Sequence, residues 1–150
     1  MKLASALSKR SDLQRRLAEL GTRLNNNAKV QDGDSPSEDP TALLSEMEQS
    51  YAKLEKLIAR INLTNASTKY GRKTLTELLA RRDCLKLRVM TMRNFLDQAS
   101  AKIERYSAKE IKIFSTVSVK EQQKSCDKLS KELRELDDKI QELNWTTELI

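Results

Sequence analysis

Residues 75–106, LTELLARRDCLKLRVMTMRNFLDQASAKIERY, decide the fold. Leu75, Leu78, Arg82, Leu85, Val89, Met92, Leu96, Ala99, Ile103 and Tyr106 follow one another at alternating steps of three and four. That spacing holds side chains on one face of a helix. The pattern persists for more than four heptads and predicts a helix ~48 Å long at ~1.5 Å per residue. Only Arg82 is out of character in the stripe. Thr74 and Glu77 have the spacing of a capping box at the helix start.

Working upstream, NASTKYGRK (65–73) reads as a turn with Gly71 as its flexible point. Before it, Met47, Tyr51, Leu54, Ile58, Ile61 and Asn65 step 4, 3, 4, 3, 4 and define a helix over 40–65. Asp39 suits its N-cap and Pro40 its first turn. Residues 28–39 form an acidic loop. The first helix, 2–24, carries Leu13, Leu17, Leu20 and Leu24 in line with Leu3 and Leu7. Asn25, Asn26 and Asn27 end it, since Asn bonds its own backbone and tolerates left-handed geometry.

Working downstream, SAKEIKIFSTVS (107–118) loses the helical period and reads as an extended connector or a short hairpin. Ser118 and Glu121 repeat the capping-box spacing. A helix over 119–144 follows, with Cys126, Leu129, Leu133, Leu136, Ile140 and Leu143 in its seam. Four such helices predict a single all-α domain over 1–150: an antiparallel, up-down-up-down four-helix bundle with coiled-coil-like packing. Two separable hairpins, or a dimer whose hairpins complete one core, are the alternatives.

Composition fits long helices. The chain has three Gly and two Pro, 33% charged residues and 4% aromatics, which implies a slender core of Leu, Ile and Met. Cys84 and Cys126 fall on or near apolar positions and read as small buried hydrophobes. The absence of His removes the commonest acid–base group and zinc ligand. It also excludes the Glu-x-x-His pairs of di-iron bundles. No Gly-rich phosphate loop or Gly-x-Ser-x-Gly elbow is present. We therefore expect no enzyme activity, no catalytic residue, no metal and no cofactor. No secretory signal or membrane-length apolar stretch is visible, so a cytoplasmic location is expected. The sequons at Asn62, Asn65 and Asn144 are then chance matches.

Net charge is +6, unevenly spread: +5 over 1–30, −6 over 31–50, +5 over 51–73, +4 over 74–118 and −2 over 119–150. Arg10, Arg15, Arg16 and Arg23 in the first helix, with Arg81, Arg82, Lys86, Arg88 and Arg93 in the third, could track phosphates. Few aromatics are available for base stacking.

In the expected bundle, one end collects Arg10, Asn62, Asn65, Arg82, Asp83, Asn144 and Trp145. These read as a buried polar layer fixing register, or as a binding end with Arg82 as anchor. Asp83 points about 100° from Arg82 on the helix and need not be its partner. The other end collects Asn26, Asp39, Arg105, Tyr106 and Glu110, read as caps and loop bonds.

Several segments also resemble a bacterial family, the septicolysin-like proteins. They are MKLASAL (1–7) with KRSDLQRRL (9–17), NNNAKVQDGD (25–34) with EDP (38–40), and Asn62-Leu63-Thr64-Asn65. Thr74-Leu75-Thr76 followed by Arg82-Asp83, Arg105-Tyr106-Ser107 with Glu110-Ile111-Lys112, and NWTTEL (144–149) complete the set. The resemblance covers nearly the whole chain. It implies an all-helical fold without assigned enzyme activity, and its label implies a membrane-active, pore-forming role. The residues themselves point to a non-enzymatic interaction or scaffold protein that forms a homo-oligomer or binds a protein partner. A nucleic-acid-binding module is the alternative; membrane association is not expected from the residues.

Overall fold

In a computed structural model that describes residues 1–101 and 111–150, the chain is mostly helical. Its elements are α1 (Leu3–Asn26), α2 (Pro40–Ser67), β1 (Lys69–Tyr70), β2 (Lys73–Thr74), α3 (Leu75–Ser100) and α4 (Val119–Thr146). They fall into two compact units: Met1–Thr76 with Gln141–Ile150, and Glu77–Ile140.

In the first unit α1 packs along α2. Leu3, Leu17 and Leu20 of α1 are buried, as the expected stripe has them; Leu7, Leu13 and Leu24 are half-buried, and Ala6, outside that stripe, is buried instead. On α2 the outcome differs. The expected stripe was Met47, Tyr51, Leu54, Ile58, Ile61 and Asn65. The residues buried are Leu43, Ser50, Leu54, Leu57, Ile61 and Thr64. The two stripes share Leu54 and Ile61; Tyr51, Ile58 and Asn65 each give way to the residue before them, about 100° around the helix, and at the start Leu43 is buried rather than Met47. α2 is thus apolar over more than one seam, and spacing alone does not say which seam α1 covers. The covered seam also carries Ser50, buried in mid-helix. Thr64, fully buried, satisfies its hydroxyl by donating to the Arg60 carbonyl at 2.8 Å.

In the second unit, Leu78, Leu85, Val89 and Leu96 of α3 are buried along the predicted stripe, as are Cys126 and Ile140 of α4. As α3 advances from Arg82 to Arg93, its partners on α4 retreat from Asp137 to Ser130, so these helices run antiparallel. Cys84 corrects the expectation of two buried thiols: it is exposed. It precedes the buried Leu85 by one residue and so faces about 100° away from the seam.

Local chemistry explains most of the helix ends. Asp39 caps α2 by accepting from Thr41 N at 3.0 Å, with Pro40 in the first turn. Ser118 Oγ accepts from Glu121 N at 3.4 Å and caps α4. α1 ends without the left-handed residue expected of Asn25–Asn27, since no non-glycine residue described has positive φ. Instead the buried Asn27 closes the helix with its side chain. Nδ2 donates to the Arg23 carbonyl at 2.8 Å, and Oδ1 accepts from Glu38 N at 2.9 Å. α3 leaves helical geometry at Ala101, where Ser100 Oγ donates back to the Leu96 carbonyl at 2.7 Å. The expected continuation to Tyr106 falls on residues 102–110, outside the described residues. Residues 111–118 hold no strand.

The segment read as a turn around Gly71 is a minimal hairpin. Lys69 pairs with Thr74 and Tyr70 with Lys73. Gly71 adopts φ +61° and Arg72 is not at positive φ, which is the glycine-first two-residue turn that suits strand twist. Leu75 N extends the ladder to the Thr68 carbonyl at 2.8 Å. Strands of two residues are too short to display alternation, so the sequence pattern could not reveal them.

Candidate functional site

Three features concentrate polar chemistry, and each is built within one unit.

The first is a basic groove in the first unit, about 730 Å³ in volume. α1 contributes Lys9, Asp12, Leu13, Arg15, Arg16 and Glu19; α2 contributes Lys53, Lys56, Leu57 and Arg60. Helical spacing explains the convergence. Lys9, Asp12, Arg16 and Glu19 step three and four along α1, as Lys53, Lys56 and Arg60 do along α2. The flanking helix faces therefore meet at the edge of the Leu17–Leu57 core. Arg15 pairs with Asp12 on its own helix. Arg16 reaches across to Glu46, with Nε at 2.8 Å. Lys9, Lys53 and Lys56 have no acidic partner among the described residues. Sequence reasoning picked out Arg15 and Arg16 as basic but not their lysine counterparts on α2.

The second is a clasp that ties residues 144–150 to the first three residues and to α2. Leu3 N donates to the Thr147 carbonyl at 2.9 Å and Leu149 N to the Met1 carbonyl at 2.8 Å, an antiparallel bridge centred on Lys2 and Glu148. Glu148 accepts from the Met1 amine and from Lys2 Nζ, both at 2.8 Å. These bonds, Lys2 first and the amine second, pull its carboxyl down from 4.5 to about 2. Ile150 N donates to Thr64 Oγ1 at 3.0 Å, and Arg60 Nε to the Ile150 carbonyl at 2.6 Å. Neither Thr64 nor Glu148 was singled out in the sequence, because their partners lie 86 to 147 residues away.

The third is a shallow groove of about 510 Å³ in the second unit, around Arg82. Arg82 is paired after all with its neighbour Asp83, at 3.0 Å from Nε and 2.8 Å from Nη2, and lies 3.7 Å from Asp137. Its long side chain folds back to cover the angular gap that the backbone leaves. Lys86, Ser130, Arg134 and Asp137 complete the lining.

The residues expected at one polar end are distributed between the units. Arg82 and Asp83 belong to the second; Arg10, Asn62, Asn65, Asn144 and Trp145 belong to the first. Asn144 is buried, Arg10 and Asn65 are half-buried, and Asn62 and Trp145 are exposed. None of the seven lines the basic groove. Of the second set, Asn26 is exposed and its neighbour Asn27 makes the buried bonds instead. Asp39 caps α2. Arg105, Tyr106 and Glu110 lie outside the described residues. Nearby, Arg23 grips Glu38, with Nε at 3.0 Å from Oε2. That bond lowers the Glu38 carboxyl and raises the Arg23 guanidinium from their ordinary values. Among the described residues no group of three or more Cys, Asp or Glu could hold a metal ion, and no helix is long and apolar enough to cross a membrane.

Two helical units, a short hairpin and charged grooves define a helical protein. The chain belongs to the family of unknown function DUF6847, whose model matches residues 10–149. It is also similar to a solved structure described as a functionally unknown conserved protein from Corynebacterium diphtheriae. The two are 41% identical with a TM-score of 0.91, over 100% of this chain and 99% of that one. No curated protein matches. These findings overturn the septicolysin-like identification: both the family and the solved relative are of unknown function, and neither points to a cytolysin.

Proposed function

We propose that this chain is a non-enzymatic, cytoplasmic interaction or scaffold protein that self-associates through α2. One observation carries the reading. α2 has two apolar stripes, and α1 covers only one. Leu44 and Tyr51, with half-buried Ile58 a further seven residues on, form the uncovered stripe; Tyr51 is 52% exposed. A depression of about 470 Å³ lies beside it, lined by Tyr51, Leu54, Glu55, Ile58, Ala59 and Asn62. Seven-residue spacing suits the same stripe on a second copy, packed helix to helix. An up-down-up-down four-helix bundle with coiled-coil-like packing belongs to the same proposal. Its support is the three-and-four spacing of buried positions in α1 and α3.

Sedimentation velocity tests the association. The expected result is a species heavier than the 17.2 kDa chain at micromolar concentration. Tyr51→Glu should return it to one chain with an unchanged circular dichroism spectrum. A wild-type protein that stays monomeric through the micromolar range rejects the reading.

A further inference from the structure

Beyond self-association, we propose that the basic groove between α1 and α2 binds the phosphate backbone of duplex nucleic acid without reading its sequence. Six cations and two acids line the groove, so its local charge is +4 within a chain of +6. The acids do not neutralise it evenly. Asp12 is taken by Arg15, and Arg16 is held by Glu46 from outside the groove. Lys9, Lys53 and Lys56 are left on two facing walls without an acidic partner among the described residues. All three are exposed to water, and Leu13 and Leu57 line the same groove. Such groups suit diffuse phosphate contacts, in which each one displaces condensed counterions.

Length and chemistry select the ligand. The α1 wall runs from Lys9 to Glu19, about 15 Å at ~1.5 Å per residue. That spans about four phosphates of one duplex strand at ~3.4 Å each. No aromatic side chain lines the groove, so single strands find no stacking platform. No Trp or Phe lines it to enter a bilayer, and a recessed groove suits a strand better than a flat lipid surface. Asn and Gln, which read adenine edges, are absent from the lining, and a concave groove receives a projecting backbone rather than entering a duplex groove to bring its Arg and Lys to guanine. Contacts to phosphate alone make affinity independent of sequence.

The test is fluorescence anisotropy with a labelled duplex of about 20 base pairs in about 50 mM and about 200 mM salt, the range over which phosphate contacts are lost. Binding at low salt should weaken steeply, with log K falling by about 3 to 4 per decade of salt for about four contacts. Lys53→Glu with Lys56→Glu should weaken binding at least tenfold and flatten the slope by about two. Lys120→Glu with Lys124→Glu, exposed on α4 and equal in net charge, should change affinity less than threefold. Scrambling the duplex sequence should change nothing. Equal losses in both double variants would mean that net charge, not the groove, attracts the duplex, and would overturn the proposal. So would no binding at low salt, preference for a single strand, or binding to anionic phosphatidylserine vesicles but not to the duplex. Monomeric protein that still binds through the groove would sink the self-association reading and leave this one standing.

Discussion

Leu43 and Leu44 offer a sharp test of how α2 sits. They are the same side chain on consecutive residues of one helix, yet Leu43 is 4% exposed and Leu44 is 48% exposed. Truncation to alanine removes the same atoms from each and adds the same helix propensity. Differences in cost must then come from the surroundings. A buried Leu→Ala change loses transfer energy and leaves a cavity, about 2–5 kcal/mol in well-packed cores. Leu43 lies in the first turn of α2, where the capped end can relax into the space, so about 2–3 kcal/mol is expected. Leu44 leaves no cavity and gives up only part of its contacts, so about 0.5 kcal/mol or less is expected. Urea unfolding monitored by circular dichroism at submicromolar protein measures both, and low concentration keeps association from contributing. An unchanged m-value certifies that the comparison is one of stability. If Leu44→Ala costs as much as Leu43→Ala, the stripe assigned to the core is wrong.

Other consequences can be checked as directly. The Glu148 carboxyl lies lower in the folded chain, at about 2, than its ordinary 4.5, so deprotonated Glu148 favours the fold. Its contribution is complete above pH 4.5 and disappears as pH falls toward 2. The melting-temperature gap between wild type and Glu148→Gln should therefore be constant at neutral pH and close over that acidic window; a gap that widens there contradicts the clasp. Asn27→Ala strips the Arg23 carbonyl and Glu38 N of their partner and should destabilise by about 1–3 kcal/mol in thermal unfolding. Asn26→Ala, one residue away and exposed, should cost less than about 0.5 kcal/mol. Of the two thiols, native protein should expose only Cys84 to Ellman's reagent, and Cys126 should react after denaturation. Two rapid equivalents in native protein would contradict the packing of the second unit.

What the sequence discloses here follows the range of the interactions. Leu75, Leu78, Leu85, Val89 and Leu96 were legible because regular steps of three and four keep them on one face of α3, although Leu87, Met90 and Phe95 leave other faces apolar too. Asp39-Pro40 and Ser118 were legible because a cap acts within three residues. α2 was misread because Tyr51 and Ile58 are as apolar as Leu57, and only the position of α1 decides between them. The charged sites were less legible still. Arg15 and Arg16 announce a basic face, but only the pairing of α1 with α2 brings Lys53 and Lys56 opposite them. Thr64 and Glu148 carry no local signal at all, since each acquires its role from a segment at the far end of the chain. Conversely, Arg82 drew attention as an anomaly in a stripe and proves to be a half-exposed guanidinium content with Asp83 beside it.

The clasp also sets an order of events in time. Residues 144–150 are the last of the first unit to leave the ribosome, and Thr64 and Arg60 must wait for them through the synthesis of everything between. Helices α1 and α2 can meet early, because their contacts are local and closing a short loop loses little entropy. The bridge from Lys2 to Glu148 closes a far longer loop than the α1–α2 connection, at a larger entropic cost. Until then Leu3 lacks the Thr147 carbonyl that its amide will hold, and the edge formed by the first residues stays open to other strands. Synthesis that stalls within the intervening segment would release a half-closed unit with that edge exposed.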